Sequence, residues 1–218
     1  MTTPTLLAID AGTSTIKAVA FGGDGTEVAV AKRETETLRP EPGHVEQEPD
    51  AVWDLTAATL RDVTASLPAD AEPLGIGVTG QGDGLWAIGD GGDPVGNAVL
   101  WSDSRAAEIL AEWEEGGKLD AIVDQCGSAP YPGMSLPILA WLAREQPARF
   151  DRIDTILSAK DWVKYELTGE RTLDHTEATV PYLDKVTERY DPAVFEAVDL
   201  PEAASMLPRL AAPTDVIG

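Results

Sequence analysis

The sequence contains one cysteine and two histidines among its 218 residues. Cys126 therefore cannot form a disulfide within the chain. We interpret it as a small buried apolar residue, because no basic or histidine neighbour lies close in sequence to activate a thiolate. One cysteine together with His44 and His175 provides too few ligands for a typical zinc site.

Long apolar runs are also missing. No segment approaches the roughly 20 residues needed to span a bilayer. Residues 1–10 have neither the basic start nor the small-residue cleavage site of a secretory signal. These absences predict a cytoplasmic protein that does not bind membranes.

Basic residues are scarce, with 16 Lys and Arg against 38 Asp and Glu, giving a net charge of −22. Such a field repels nucleic acid and anionic lipid. The acids are scattered along the chain, which indicates a solvated acidic surface suited to a salt-rich, halophilic cytoplasm where counterions screen repulsion. The alternative is an acidic patch that binds a basic partner.

Short apolar segments separated by turn residues dominate the N-terminal third. The pattern predicts a meander of three strands, a helix capped by Asp50, and then a buried strand. The predicted segments are strands at 6–10, 16–21 and 27–32, a helix to about residue 66 with Trp53, Ala57 and Leu60 on one face, and a strand at 74–79. Later strands alternate with helices, so we expect an α/β domain with a mixed sheet flanked by helices.

The segment most informative about chemistry is residues 10–17, DAGTSTIK. An acid ends a strand, and a turn with one glycine and three hydroxyls follows. Glycine lets the backbone approach an anion, backbone amides and hydroxyls donate to phosphate oxygens, and the acid can hold Mg²⁺ through water. The alternative is an ordinary turn capped by Asp10.

This segment resembles the first phosphate loop of the ribonuclease H-like, actin-like ATPase fold. Further stretches resemble the FGGY family of carbohydrate kinases and keep that family's order along nearly the whole chain. They are residues 43–47 (GHVEQ), 77–84 (GVTGQGDG), 100–105 (LWSDSR), 160–162 (KDW), 167–170 (LTGE) and 174–178 (DHTEA).

The resemblance implies a role for each residue of the phosphate loop. Asp10 would position Mg²⁺, and Gly12 and Thr13 would face the transferred phosphate of ATP. Ser14 would add a hydroxyl donor. Lys17, on the second strand, either adds positive charge near the phosphate or is structural.

Four residues are implied as sugar ligands. Gln81 and Asp83 would reach substrate hydroxyls, unless their loop is simply a flexible turn. Trp101 would form a flat apolar wall, or else pack in the core. Asp103 would accept a hydrogen bond from a hydroxyl, or cap the helix expected from about residue 104.

The resemblance implies ATP-dependent phosphorylation of a sugar or polyol hydroxyl, with a pentulose such as xylulose favoured. The sugar loop has Gly82-Asp83 where xylulose kinases have Met-His and glycerol kinases have Arg-Glu. The resemblance to the family therefore does not identify the particular substrate. Residues 1–218 would form the N-terminal sugar-binding domain of a two-domain kinase. The catalytic aspartate and the nucleotide-binding domain would lie beyond Gly218, so this chain alone should be inactive.

Other classes of function stay open at this point. A non-catalytic sugar- or nucleotide-binding module with a kinase-like fold is the main alternative. A cytoskeletal or chaperone ATPase would share the phosphate loop, but not the stretches at 77–84 and 100–105. The expected partner is a small sugar or polyol rather than nucleic acid, and the chain could form a homodimer.

Overall fold

A computed structural model describes residues 2–218. The strands are β1 (Thr3–Ala11), β2 (Thr15–Gly22), β3 (Glu27–Glu34), β4 (Glu46–Gln47), β5 (Ala71–Gly80), β6 (Trp86–Ile88), β7 (Ala98–Val99), β8 (Thr155–Leu157), β9 (Thr172–Asp174) and β10 (Arg209–Ala211). The helices are α1 (Pro49–Ala65), α2 (Ala107–Glu115), α3 (Lys118–Cys126), α4 (Ser135–Glu145), α5 (Pro147–Phe150), α6 (Ala159–Thr168), α7 (His175–Ala178) and α8 (Ala193–Ala197), with a 3-10 helix at Pro201–Met206.

The main sheet has the strand order β3-β2-β1-β5. Tight turns join β1 to β2 and β2 to β3, so these pairs are antiparallel. The chain then crosses through α1 and returns as β5, parallel to β1. The sheet is therefore mixed, as predicted. The carboxyl ends of β1 and β5 lie side by side at the same end of the sheet.

Two apolar clusters form the core. The first lies between the sheet and helices α1 and α6, where Ile9, Ile16, Val63 and Trp162 are at most 1% exposed. The second joins α2, α3, α4 and α8 and includes Cys126, which is buried as predicted. Within residues 2–218 no helix is both long and apolar enough to cross a membrane.

The strand predicted at 74–79 exists, but it is not buried. As part of β5 it occupies the edge of the sheet, and Leu74 and Ile76 are 64% and 43% exposed. A short apolar run indicates a strand but does not reveal how many neighbours the strand has.

The helix predicted from Asp50 is confirmed as α1, although its cap and its buried face differ from the prediction. Glu48 is the N-cap, and Asp50 lies in the first turn, where its charge interacts favourably with the helix dipole. The buried face includes Thr56 and Thr59, whose hydroxyls donate to the carbonyls four residues earlier. These threonines are buried because their hydroxyls are satisfied within the helix, and a count of apolar residues alone misses them.

Candidate functional site

The turn after β1 is shaped so that only glycine fits at position 12. The Gly12 amide donates to the Thr15 carbonyl at 3.2 Å, and a Cβ on Gly12 would lie 2.8 Å from that same oxygen. Asp10 lies exposed near the end of β1, directly opposite Lys17 in the β1–β2 register. The turn thus places a tightly packed backbone next to the exposed carboxylate of Asp10.

The loop after β5 lies against this turn because β1 and β5 are parallel and end together. Ala11 pairs with Gly80, and the Gln81 amide donates to the Ala11 carbonyl at 3.0 Å. A Cβ on Gly80 would come within 2.9 Å of that carbonyl. The carboxyl ends of parallel strands are a common place for a ligand site.

An open cleft of about 410 Å³ lies between the two loops, within the size range of small-molecule sites. It brings together most of the residues predicted from sequence, although those residues come from distant parts of the chain. Its lining consists of Asp10, Gly12, Thr13, Gly80, Gln81, Gly82, Asp83, Trp101 and Tyr131.

Trp101 forms one wall of the cleft and is 45% exposed, so it is not a core residue. Its indole Nε1 donates to the Thr13 hydroxyl at 3.0 Å. Gly133 packs against the backbone of Trp101, where a Cβ on Gly133 would lie 1.8 Å from the Trp101 carbonyl oxygen. The indole ring is therefore held in place and is partly open to the cleft.

Asp83 occupies a left-handed backbone conformation, with φ of +57°. Its amide donates to Glu177 Oε2 at 3.1 Å, and its Oδ2 accepts from the Tyr131 hydroxyl at 2.7 Å. Burial raises the pKa of the Tyr131 hydroxyl, and the hydrogen bond to Asp83 raises it further. Tyr131 therefore stays protonated and donates its one hydroxyl hydrogen to Asp83.

Glu177 connects this loop to α6 and α7. Its Oε1 lies 3.4 Å from Lys160 Nζ, which also lies 2.9 Å from Asp174 Oδ2. Burial raises the pKa of Glu177, while the positive charge of Lys160 opposes that rise. The pKa of Lys160 is raised because its hydrogen bond to Asp174 and the nearby carboxylates outweigh burial, which alone would lower it.

Asp103 does not reach the cleft and is 2% exposed. Its Oδ2 accepts from the Val45 amide at 2.6 Å, and Arg105 donates to both of its oxygens, with a further ion pair from Arg105 to Glu46. It does not cap α2 either, since that helix begins at Ala107. The expected contact between Asp103 and a substrate hydroxyl is thus not supported, because protein donors already occupy the carboxylate.

Ser14 and Lys17 are both exposed and lie outside the cleft lining. Gln81 lies in the cleft, but its amide is hydrogen-bonded to Thr13 and Gln47. Apart from Asp10 and Thr13 of the phosphate turn and the bonded Gln81, the polar or aromatic groups that the lining offers to a sugar are Asp83, Trp101 and Tyr131.

Gly218, the residue beyond which the catalytic base is expected, is exposed and lies outside the cleft lining. It lies against Thr168 at the end of α6, where a Cβ on Gly218 would come within 2.6 Å of the Thr168 methyl carbon. Gly218 itself is therefore not part of the cleft, and the position of the base stays a prediction.

Sequence reasoning missed Tyr131, Glu177 and Gln47. Tyr131 stands between two prolines in a loop, and an aromatic residue in a rigid loop is a signal that could have drawn attention to it. Glu177 and Gln47 lie inside the stretches 174–178 and 43–47, but no local pattern indicates what they contact.

The residues around the turn fit ATP and Mg²⁺. Glycines at positions 12 and 80 let the backbone pack closely on the carbonyls of Thr15 and Ala11, which keeps the two loops compact and adjacent. The carboxylate of Asp10 is exposed at the same place, and Mg²⁺ in kinases commonly uses one or two carboxylates together with water and phosphate oxygens.

Comparison with known proteins identifies the class. The model of the N-terminal domain of the FGGY family of carbohydrate kinases matches residues 5–218, and the chain belongs to this family. Erythritol kinase from Brucella abortus is 34% identical over 206 residues, covering 94% of this chain and 40% of that protein.

Solved structures agree on the fold. Xylulose kinase from Rhodospirillum rubrum aligns with a TM-score of 0.91 at 27% identity, covering 98% of this chain and 45% of that one. Gluconate kinase from Lactobacillus acidophilus aligns with a TM-score of 0.92 at 22% identity, covering 100% and 44%. The predicted actin-like α/β fold class is confirmed, and the chain spans less than half the length of these relatives.

Proposed function

We propose that the protein containing this chain transfers the γ-phosphate of ATP to a hydroxyl of a pentulose or short polyol. Residues 1–218 would supply the sugar site and the first phosphate turn. The observation that supports this most is the shared cleft, where the turn at Gly12 lies beside Asp83, Trp101 and Tyr131. Erythritol, xylulose and glycerol kinases among the relatives are consistent with this class of substrate.

In this proposal each residue has a separate task. Trp101 covers an apolar face of the sugar. The Tyr131 oxygen accepts from one sugar hydroxyl while its hydrogen stays on Asp83, and Asp83 accepts from another sugar hydroxyl. Gly12 and Thr13 would face the transferred phosphate, with the Thr13 amide as the donor, because the Gly12 amide is bonded to the Thr15 carbonyl. Asp10 would hold Mg²⁺, an ion that supplies charge neutralisation at the phosphates when bound.

The proposal also divides the active site between two parts of the protein. The family resemblance implies that the base accepting the proton of the substrate hydroxyl lies beyond Gly218. Phosphoryl transfer needs the hydroxyl, the phosphate and Mg²⁺ aligned together. We therefore expect residues 1–218 alone to release no ADP with any sugar, and sugar-dependent turnover by this chain would contradict the divided site.

Two variants of the intact protein test the assignment of tasks. Asp83→Ala should raise the sugar KM, at a cost of about 1–3 kcal/mol, and leave the ATP KM little changed. Asp10→Asn keeps the shape but removes the charge, and should lower kcat by roughly a hundredfold. ADP formation with a panel of pentuloses, hexoses and polyols, normalised to folded protein, measures both effects.

Asp124→Ala, at an exposed position on α3, is the matched control and should behave like the wild type. An unchanged sugar KM in Asp83→Ala would show that the sugar loop is wrongly assigned. Sugar binding without turnover by the intact wild-type protein would favour the non-catalytic alternative.

A further inference from the structure

A closed ring of hydrogen bonds lies behind the cleft and joins the phosphate turn to the sugar loop. The Thr13 hydroxyl donates to Gln81 Oε1 at 2.8 Å, and Gln81 Nε2 donates to Gln47 Oε1 at 2.7 Å. Gln47 Nε2 then donates to the Thr13 carbonyl at 2.9 Å, which closes the ring. Trp101 is attached to the ring through its indole bond to the Thr13 hydroxyl.

Two groups fix every donor and acceptor in this ring: the Trp101 indole N–H and the Thr13 backbone carbonyl. An indole Nε1 only donates, so the Thr13 oxygen must accept from Trp101 and direct its own hydrogen to Gln81. A backbone carbonyl only accepts, so Gln47 must turn its NH₂ group toward Thr13. Both amide orientations follow from these constraints, and reversing either one would break two bonds.

Gln47 connects the ring to the strand pair β4–β7, while the Thr35 hydroxyl donates to the same Thr13 carbonyl at 2.6 Å. Gln47 is fully buried, at 0% exposure, and belongs to β4. There it pairs with Ala98 in β7, the strand that leads into Trp101. Gln47 therefore holds the Thr13 turn and the Gln81 loop through its side chain, and the segment carrying Trp101 through its backbone.

We propose that Gln47 is a positioning residue that fixes the sugar wall, Trp101, relative to the phosphate turn. This inference rests on the proposed kinase function. The sugar hydroxyl and the transferred phosphate would be aligned because both surfaces belong to one rigid hydrogen-bonded unit. Gln81 would then help to hold this unit together and would not bind the sugar directly, since its amide oxygen and nitrogen are both bonded within the ring.

Gln47→Met in the intact protein tests the proposal, because methionine has nearly the same shape but breaks both ring bonds. The Trp101 indole N–H signal, followed by NMR with ¹⁵N-tryptophan and assigned from Trp101→Phe, should shift and its hydrogen exchange should accelerate. We expect sugar KM to rise and kcat to fall, each by roughly tenfold, because alignment as well as binding is lost. Asp83→Ala, in contrast, should change chiefly the sugar KM.

Gln125→Met is the matched control, since Gln125 also donates to a backbone carbonyl, that of Asp191, but lies outside the cleft. It should leave the Trp101 signal and both kinetic constants unchanged. If Gln47→Met folds poorly, Gln47→Glu keeps the acceptor for Gln81 while removing the donor to Thr13, and should move the same signal in the same direction.

An unchanged Trp101 signal with unchanged kinetics in a folded Gln47 variant would overturn the positioning role, even if the protein is a sugar kinase. Absence of turnover in the wild type would instead reject the proposed function. In that case the indole signal still reports whether Gln47 holds Trp101 in place.

Discussion

Asp83 is held in an unfavourable backbone conformation by neighbours from two distant segments. A non-glycine residue at φ of +57° costs about 1–2 kcal/mol relative to an ordinary conformation. The hydrogen bond from its amide to Glu177 and the bond from Tyr131 to its carboxylate offset this cost. Glu177 is thus important for the shape of the sugar loop although it does not line the cleft.

The titration of Glu177 gives a stability prediction. Burial raises its folded pKa above the ordinary value of 4.5, so the folded state binds the proton more tightly than the unfolded state. Its contribution to stability is therefore full below about pH 4.5 and is lost as pH rises through the raised pKa. Glu177→Gln cannot titrate, so its melting temperature relative to wild type should increase over this range.

Thermal melting of both proteins between pH 4.5 and 7.5 measures this difference. Glu114→Gln, at an exposed position on α2, is the control for removing one acidic group. The difference between its melting temperature and that of the wild type should not change with pH. A pH-independent difference between Glu177→Gln and wild type would contradict the raised pKa.

At the level of elements, two glycines with nearly the same backbone angle have very different surroundings. Gly84, at the end of the sugar loop, has φ of +74°, and a Cβ there would lie 2.5 Å from the Val99 carbonyl. Gly169, which ends α6, has φ of +76° and nothing within 4 Å of the Cβ position. The first glycine is required by both conformation and close packing, the second by conformation alone.

Alanine substitution at these two glycines separates the two effects. Gly169→Ala should cost about 1–2 kcal/mol, because alanine is strained in the left-handed conformation. Gly84→Ala should cost clearly more, about 3 kcal/mol or above, because β7 or the loop must also move. Urea denaturation measures both free energies of unfolding, and equal losses would show that the loop adjusts around the new methyl group without strain.

For the whole molecule, the net charge of −22 is the dominant electrostatic property. Self-repulsion among the scattered carboxylates destabilises the compact state, and salt screens it. Salt also weakens surface ion pairs such as Arg33–Asp62, but each of these contributes only about 0–1 kcal/mol. We expect screening of the net charge to have the larger effect.

The melting temperature should therefore rise as KCl increases from dilute to molar concentration, as the halophilic interpretation predicts. Most of the rise should occur below about 0.5 M, since the Debye length is already about 10 Å at 0.1 M. Sucrose, which also favours burial but does not screen charge, is the control. A melting temperature that does not depend on KCl would reject the halophilic interpretation.

Much of the fold could be predicted from the sequence, because its signals are local. Apolar runs and glycine turns located β1, β2 and β3, and the segment 10–17 marked the phosphate turn. Each of these features depends on about ten consecutive residues.

The tertiary structure alone decided which side chains meet in the cleft. Asp83 contacts Tyr131 and Glu177, which are 48 and 94 positions away along the chain. Asp103, two residues after Trp101, is buried against Arg105 while Trp101 is open to the cleft. Local sequence defines backbone geometry and burial tendency, whereas the partner of each polar side chain depends on how distant segments pack, which no local pattern contains.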